Sequence, residues 1–307
     1  MTGVTMPPDP VQQQPTYEAA LAEFEKLEPI QIDFDNGAGG QPGHPRAAFS
    51  REFPRFPIPG TKGRTWHLSA DGRLTARRGT GAPDSFEWDP AARPLDNLEG
   101  GSGAGEGGVW TASPDYSWQE PPSGTGVAYV TKPLAEDTTV VGSGFVEVWV
   151  RANKPSVDLQ ATVTEVRPDD KETFVQGGWV RASMRELDRE TSTPLAPVLS
   201  LRRSDMKPLP RDRFAKVTIP LYYQGHAYRE GSRIRVLITA PNGDQPVWAF
   251  EQTKPKGEAK VRIAHDRRRP SSLTLPVIPE GGIPTELPPC PGLRGQPCRN
   301  YEPAGAG

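Results

Sequence analysis

The chain is poor in the residues that carry most metal and redox chemistry. It holds two cysteines, Cys290 and Cys298, and four histidines, His44, His67, His226 and His265, among 307 residues. No His or Cys cluster has ligand spacing, which argues against a zinc site, and no cofactor is implied. An excess of one charge is also missing. Net charge is -2, so charge implies no nucleic-acid partner. No apolar run approaches the roughly 20 residues of a membrane helix, so no membrane partner is expected. Residues 1–14 lack the basic-plus-apolar pattern of a signal peptide. Either the protein is cytoplasmic or this chain lacks its natural start.

Proline and glycine are abundant instead, at 36 and 32 residues. That content demands many turns and argues against a long helical bundle. One core of about 160 residues with less regular flanks fits the length better than two full domains. The core reads from Val127 to Ile278. Within it, Val140-Val-Gly-Ser-Gly-Phe-Val-Glu-Val-Trp-Val-Arg-Ala152 alternates with period two. Phe145, Glu147, Trp149 and Arg151 share one face and Val146, Val148 and Val150 the other, as in a strand with a buried side. Further strands are expected over 157–167, 175–184, 215–221, 232–240, 259–265 and 272–278. Many short strands separated by Pro, Gly, Asn and Asp read as an antiparallel sandwich.

Outside this core the pattern is less regular. Residues 1–15 are rich in Pro and Gln and are expected to be disordered. Tyr17, Leu21, Phe24 and Leu27 fall near helical spacing, with Thr16 as cap and Pro29 as stop. Ile30 to Phe34 alternates as a short strand. Phe49, Phe53 and Phe56 lie among prolines, as in a segment without regular structure resting on another surface. Residues 65–68 and 85–88 are short strand candidates, and Asp71-Gly72 reads as a turn. Gly100 to Gly108 reads as a surface linker; it lacks the Gly-Lys-Ser/Thr ending of a phosphate loop. Trp110, Tyr116 and Trp118 follow, either plugging one end of the sandwich or facing a ligand or partner.

At this point the residues resemble a family. The run from Val127 to Ile278 is similar to the C-terminal domain of X-prolyl dipeptidyl-peptidases and cocaine-esterase-type acyl hydrolases. The residues that carry the resemblance are the 140–150 strand, Asp158-Leu-Gln-Ala-Thr-Val-Thr-Glu-Val-Arg-Pro-Asp169, and Gly178-Trp-Val-Arg181 with Arg185. His226 with Gly231-Ser-Arg-Ile-Arg-Val236, and His265 with Pro270-Ser-Ser-Leu-Thr-Leu-Pro-Val-Ile278, complete it. Phe53-Pro-Arg-Phe-Pro-Ile-Pro-Gly60, Trp66-His-Leu68 and Asp84-Ser-Phe-Glu-Trp-Asp-Pro90 extend it upstream, to about residues 29–279. The implied fold is an all-β, antiparallel jelly-roll sandwich, galactose-binding-like, with one short N-terminal helix. The boundaries are a tail and helix over 1–28, a lead-in over 29–126, the sandwich over 127–279 and a Pro/Gly-rich tail over 280–307. Asp169-Asp170 departs from the family's Asp-Gly, so a type I turn without positive φ is expected there.

The resemblance implies a serine hydrolase, yet the catalytic pattern is missing. Gly101-Ser-Gly103 and Gly142-Ser-Gly144 have the wrong spacing for a Gly-x-Ser-x-Gly elbow. No strand–helix alternation marks a doubly wound sheet. His44 reads as solvated, His67 as a strand tip, and His226 and His265 as structural. The chain is therefore expected to be the non-catalytic part of a hydrolase, its catalytic half absent through truncation, a split gene or a late start codon. The implied partner is an α/β-hydrolase catalytic domain, with an acyl or prolyl-peptide substrate met indirectly. In the family, a loop before the strand at 127–131 reaches the cleft, which makes Val109, Trp110 and Trp118 the candidate cleft-lining residues. A docking face left bare, with Phe49, Phe53, Phe56 and the Trp110 to Trp118 loop as candidates, would lead to self-association. Seven residues rich in Gly and Pro separate Cys290 from Cys298, compatible with a disulfide or with two free thiols. A disulfide would point to an extracellular setting, free thiols to the cytoplasm. The alternative is a carbohydrate-binding module using Trp149, Trp179 and Trp248, although their strand positions favour core packing.

Overall fold

The computed structural model describes residues 8–93, 118–242, 252–279 and 282–303. Among these residues one α-helix, α1 (Tyr17–Phe24), precedes sixteen strands. Thr16 caps α1 by accepting a hydrogen bond from the Ala19 amide at 3.2 Å.

The strands form a sandwich. In one layer β10 (Lys171–Arg181), β9 (Asp158–Val166), β13 (Arg233–Thr239) and β6 (Gly126–Val130) lie side by side, and β16 (Cys298–Asn300) extends the β10 edge. In the other, β8 (Phe145–Ala152) is flanked by β11 (Ala215–Pro220) on one side and by β14 (Lys260–Ala264) and β15 (Ser272–Val277) on the other. β3 (Lys62–Ser69) pairs with β15, and β5 (Asp84–Glu87) with β14. A single parallel step, Arg73 to Val130, links β4 (Arg73–Thr75) to β6.

The period-two expectation holds along β8, where Val146, Val148 and Val150 are fully buried and the intervening residues half-buried. They meet Leu159, Ala161 and Val163 of β9 and Ile234, Val236 and Ile238 of β13 in one core. Each buried Val, Leu or Ile among them contributes about 1.5–3 kcal/mol. Gly178 sits where β10 passes the end of β11: a Cβ there would lie 2.0 Å from the Pro220 carbonyl oxygen. Only a residue without a side chain permits that approach.

Three expectations are corrected. Phe49–Phe53 is a strand, β2, paired antiparallel with β1 (Ile30–Phe34). Alternate residues Phe49 and Phe53 pack on a second core of Phe34, Ile58, Val141, Ala227 and Ile278, so the prolines end the strand rather than prevent it. Of the three phenylalanines expected on a bare face, Phe56 is exposed. The Asp169-Asp170 turn does use positive φ: Asp170 stands at +54°. A short polar side chain tolerates that region better than most, and Asp169 is held by two hydrogen bonds from Arg167 at 3.1 and 2.8 Å. Trp149 and Trp179 are half-buried on outer faces, not in the core, because the inward positions of their strands go to Val148, Val150 and Val180. Trp248 lies outside the described residues. The strands β12 (Gln224–Tyr228) and β16 were not anticipated.

Candidate functional site

β9 is buried on both faces. One face carries Leu159, Ala161 and Val163 with the buried Glu165 at its end; the other carries Gln160, Thr162 and Thr164 and meets buried charge. Thr164 donates to Glu172 Oε1 at 2.7 Å, and Arg235 from β13 donates to both Glu172 oxygens at 2.8 and 2.9 Å. Glu120 binds the same guanidinium, and Arg299 of β16 donates to Glu172 Oε2 at 2.9 Å. Two carboxylates and two guanidiniums balance, as burial of charge requires. Burial would lower the Arg235 pKa, but Glu172 and Glu120 outweigh it and raise the pKa above the ordinary value. Sequence reading missed this cluster, although a charged residue within a strand, such as Arg235 in the Arg-Ile-Arg run, was the available signal.

Trp118 joins the cluster. It is 6 % exposed, lies 3.9 Å from the Arg299 guanidinium and meets Phe174 edge-on at 6.3 Å. A row of rings continues from Phe174 to Tyr222 and from Tyr222 to Trp179, each step 6.4 Å. The row ends at a cavity of about 270 Å³ lined by Trp179, Met184, Leu199, Leu201 and Pro241, with the Asp158–Arg181 ion pair in its wall. Val109 and Trp110, the other cleft candidates, lie outside the described residues.

Cys290 and Cys298 are joined as a disulfide, with Cα atoms 5.7 Å apart. The bridge fixes the 290–298 loop beside β16, whose backbone pairs with the β10 edge at Thr173 and Cys298. It thereby positions Arg299, the next residue, over Glu172 and Trp118.

A serine, a carboxylate and a histidine do meet, at Ser232, Glu165 and His226. Ser232 donates to Glu165 Oε1 at 2.6 Å, and the His226 Nε2 contacts Glu165 Oε2 at 2.8 Å. The carboxylate stands between the other two, so no base faces the hydroxyl as a triad requires. The three residues are 0 %, 3 % and 3 % exposed, which closes them to a substrate. Burial acts to raise the Glu165 pKa; the hydrogen bond and charge of His226, then Ser232 and Arg167, overcome it and hold the pKa below its usual range. His265 contacts Asp84 at 3.0 Å, and Tyr129 donates to the same oxygen at 2.6 Å. His226 thus makes a buried hydrogen bond between β12 and β9, and His265, just past β14, a part-buried one to β5. Among the described residues, no three His, Cys, Asp or Glu side chains group as a metal site. No described helix is long and apolar enough to cross a membrane.

No curated protein matches the chain. Solved structures do. A CocE/NonD family hydrolase from Staphylococcus aureus is similar at TM-score 0.54 and 18% identity, over 75% of this chain and 39% of that one. An aminopeptidase from the marine sediment archaeon Thaumarchaeota archaeon is similar at TM-score 0.56 and 17% identity, over the same shares. At such identity these likenesses establish the fold, and the chain spans 39% of the length of either structure. The family model for the X-Pro dipeptidyl-peptidase C-terminal non-catalytic domain matches residues 11–274, and the chain belongs to that family.

Proposed function

We propose that this chain packs against an α/β-hydrolase catalytic domain and that the 100–118 segment helps wall that domain's substrate cleft. The observation that carries the packing is the apolar face of α1. Tyr17, Leu21 and Phe24 follow helical spacing, Leu27 continues the row, and the four are exposed by 75 %, 40 %, 61 % and 45 %. An apolar row of that kind favours a partner surface over water. Without the catalytic domain, the same row drives self-association. Trp118, anchored under Arg299, supports a fixed base from which Val109 and Trp110 line the cleft with apolar surface for an acyl or prolyl group. The Cys290–Cys298 pairing supports an oxidising compartment.

The test pairs the chain with a hydrolase catalytic domain of this family. A Leu21→Glu/Phe24→Glu variant is expected to abolish co-purification and, in the unpaired chain, to remove self-association seen by light scattering. Trp110→Ala in the complex is expected to change KM or acyl-chain preference. Unchanged pairing in the first variant, or unchanged KM and preference in the second, contradicts the corresponding part.

A further inference from the structure

The outer face of the second layer carries cations in direct opposition. Arg151 on β8 stands across from Arg262 on β14. Like charges directly opposed destabilise a sheet, and among the described residues neither guanidinium has an ion-pair partner. The Arg151 guanidinium lies 5.4 Å from the Phe214 ring, and Arg269 converges on the same ring at 4.5 Å. Arg269 is tied to Asp266 by two hydrogen bonds at 2.9 and 2.6 Å, and Asp266 also accepts from the Arg268 amide at 2.8 Å. The turn is therefore fixed with Arg268 exposed beside it. Half-buried Trp149 shares the outer face, two residues before Arg151. Its neighbours Lys216 and Glu147 neutralise each other at 2.8 Å.

We propose that this face binds an anionic polysaccharide. Arg151, Arg262 and Arg268 meet its carboxylates or sulfates, while Trp149 offers its ring to the sugar C–H groups. Arginines at opposed register positions, with no ion-pair partner among the described residues, form an anion site whose like-charge cost a bound anion relieves. The half-buried Trp149 ring beside the cations favours a sugar polymer over an acidic peptide. β8 is hydrogen-bonded on both sides, to β11 and to β14 and β15, so it leaves no free edge for an extended peptide to join. The proposal is independent of docking through α1.

The experiment measures binding of the full chain to heparin, to polygalacturonate, to neutral dextran, to polyglutamate and to a thymidine oligonucleotide across a salt series. Binding to heparin or polygalacturonate is expected, weakening linearly in log affinity against log salt; which of the two binds assigns sulfate or carboxylate. Arg151→Gln/Arg262→Gln is expected to weaken it about tenfold. Arg262→Gln is expected to leave Tm unchanged or raised, because the opposition is relieved. No binding to either glycan, equal binding to dextran, tighter binding to polyglutamate or the oligonucleotide, unaltered affinity in the double variant, or a lowered Tm for Arg262→Gln would each overturn the proposal.

Discussion

The Ser232 hydroxyl is spent on Glu165: the two oxygens lie 2.6 Å apart, with the His226 ring on the far side of the carboxylate. A serine so held lacks a base to accept its proton on attack. It is a brace between β9 and the start of β13. Ser232→Ala is expected to cost about 1–3 kcal/mol of stability, because a buried carboxylate oxygen loses its donor. It is expected to leave any ester turnover by the chain at the same value. Urea unfolding and a chromogenic ester assay check the two halves.

Acid sensitivity follows from the same carboxylate. Its folded pKa lies below the ordinary glutamate value of 4.5. A depressed carboxylate pKa stabilises the fold above the unfolded value, and that stability is lost as pH falls through the folded one. Asp84, ordinarily 3.8, is also lowered: burial opposes this, but the hydrogen bonds from His265 and Tyr129 prevail. Tm is therefore expected to decline below the ordinary carboxylate range on account of these groups. Glu165→Gln should lower Tm at neutral pH and reduce the acid slope; an unaltered slope contradicts the assignment.

The sandwich was legible because its signal is simple. Valines at every second position of β8 and glycine-marked turns announce strands with one dry face. β2 was not legible, because Phe49 and Phe53 alternate correctly but stand next to prolines that read as irregular chain. β16 is three residues long and exists through its pairing with β10 and the disulfide, neither visible in a local window. The charge cluster was hidden for a related reason. Glu172, Arg235, Glu120 and Arg299 come from four separated segments, and their mutual neutralisation appears once strands are laid in register. Trp118 was identified as a residue of interest, but the guanidinium above it could not be read from spacing.

The Asp170 turn offers a test of backbone strain. At φ +54° a side chain costs more than glycine does. Asp170→Gly forfeits an exposed contact with Arg233 at 3.1 Å, which is worth little. The variant is expected to gain about 1 kcal/mol, read as a rise of roughly 2 °C in Tm.

Reduction of Cys290–Cys298 should be visible at Trp118. The bridge closes a short loop, for which chain entropy gives about 2–3 kcal/mol. Freeing β16 releases Arg299 from Glu172 and from the Trp118 ring. Cys298→Ser is expected to lower stability by that order and to shift tryptophan emission to the red. An unshifted spectrum would show that Arg299 holds its place without the bridge.

The non-catalytic reading meets its most direct test in active-site labelling. The full chain, folded and at neutral pH, is treated with a serine-reactive fluorophosphonate and mapped by mass spectrometry. The account predicts an unlabelled chain, Ser232 included. Stoichiometric modification of one serine, lost when the protein is unfolded first, would contradict it.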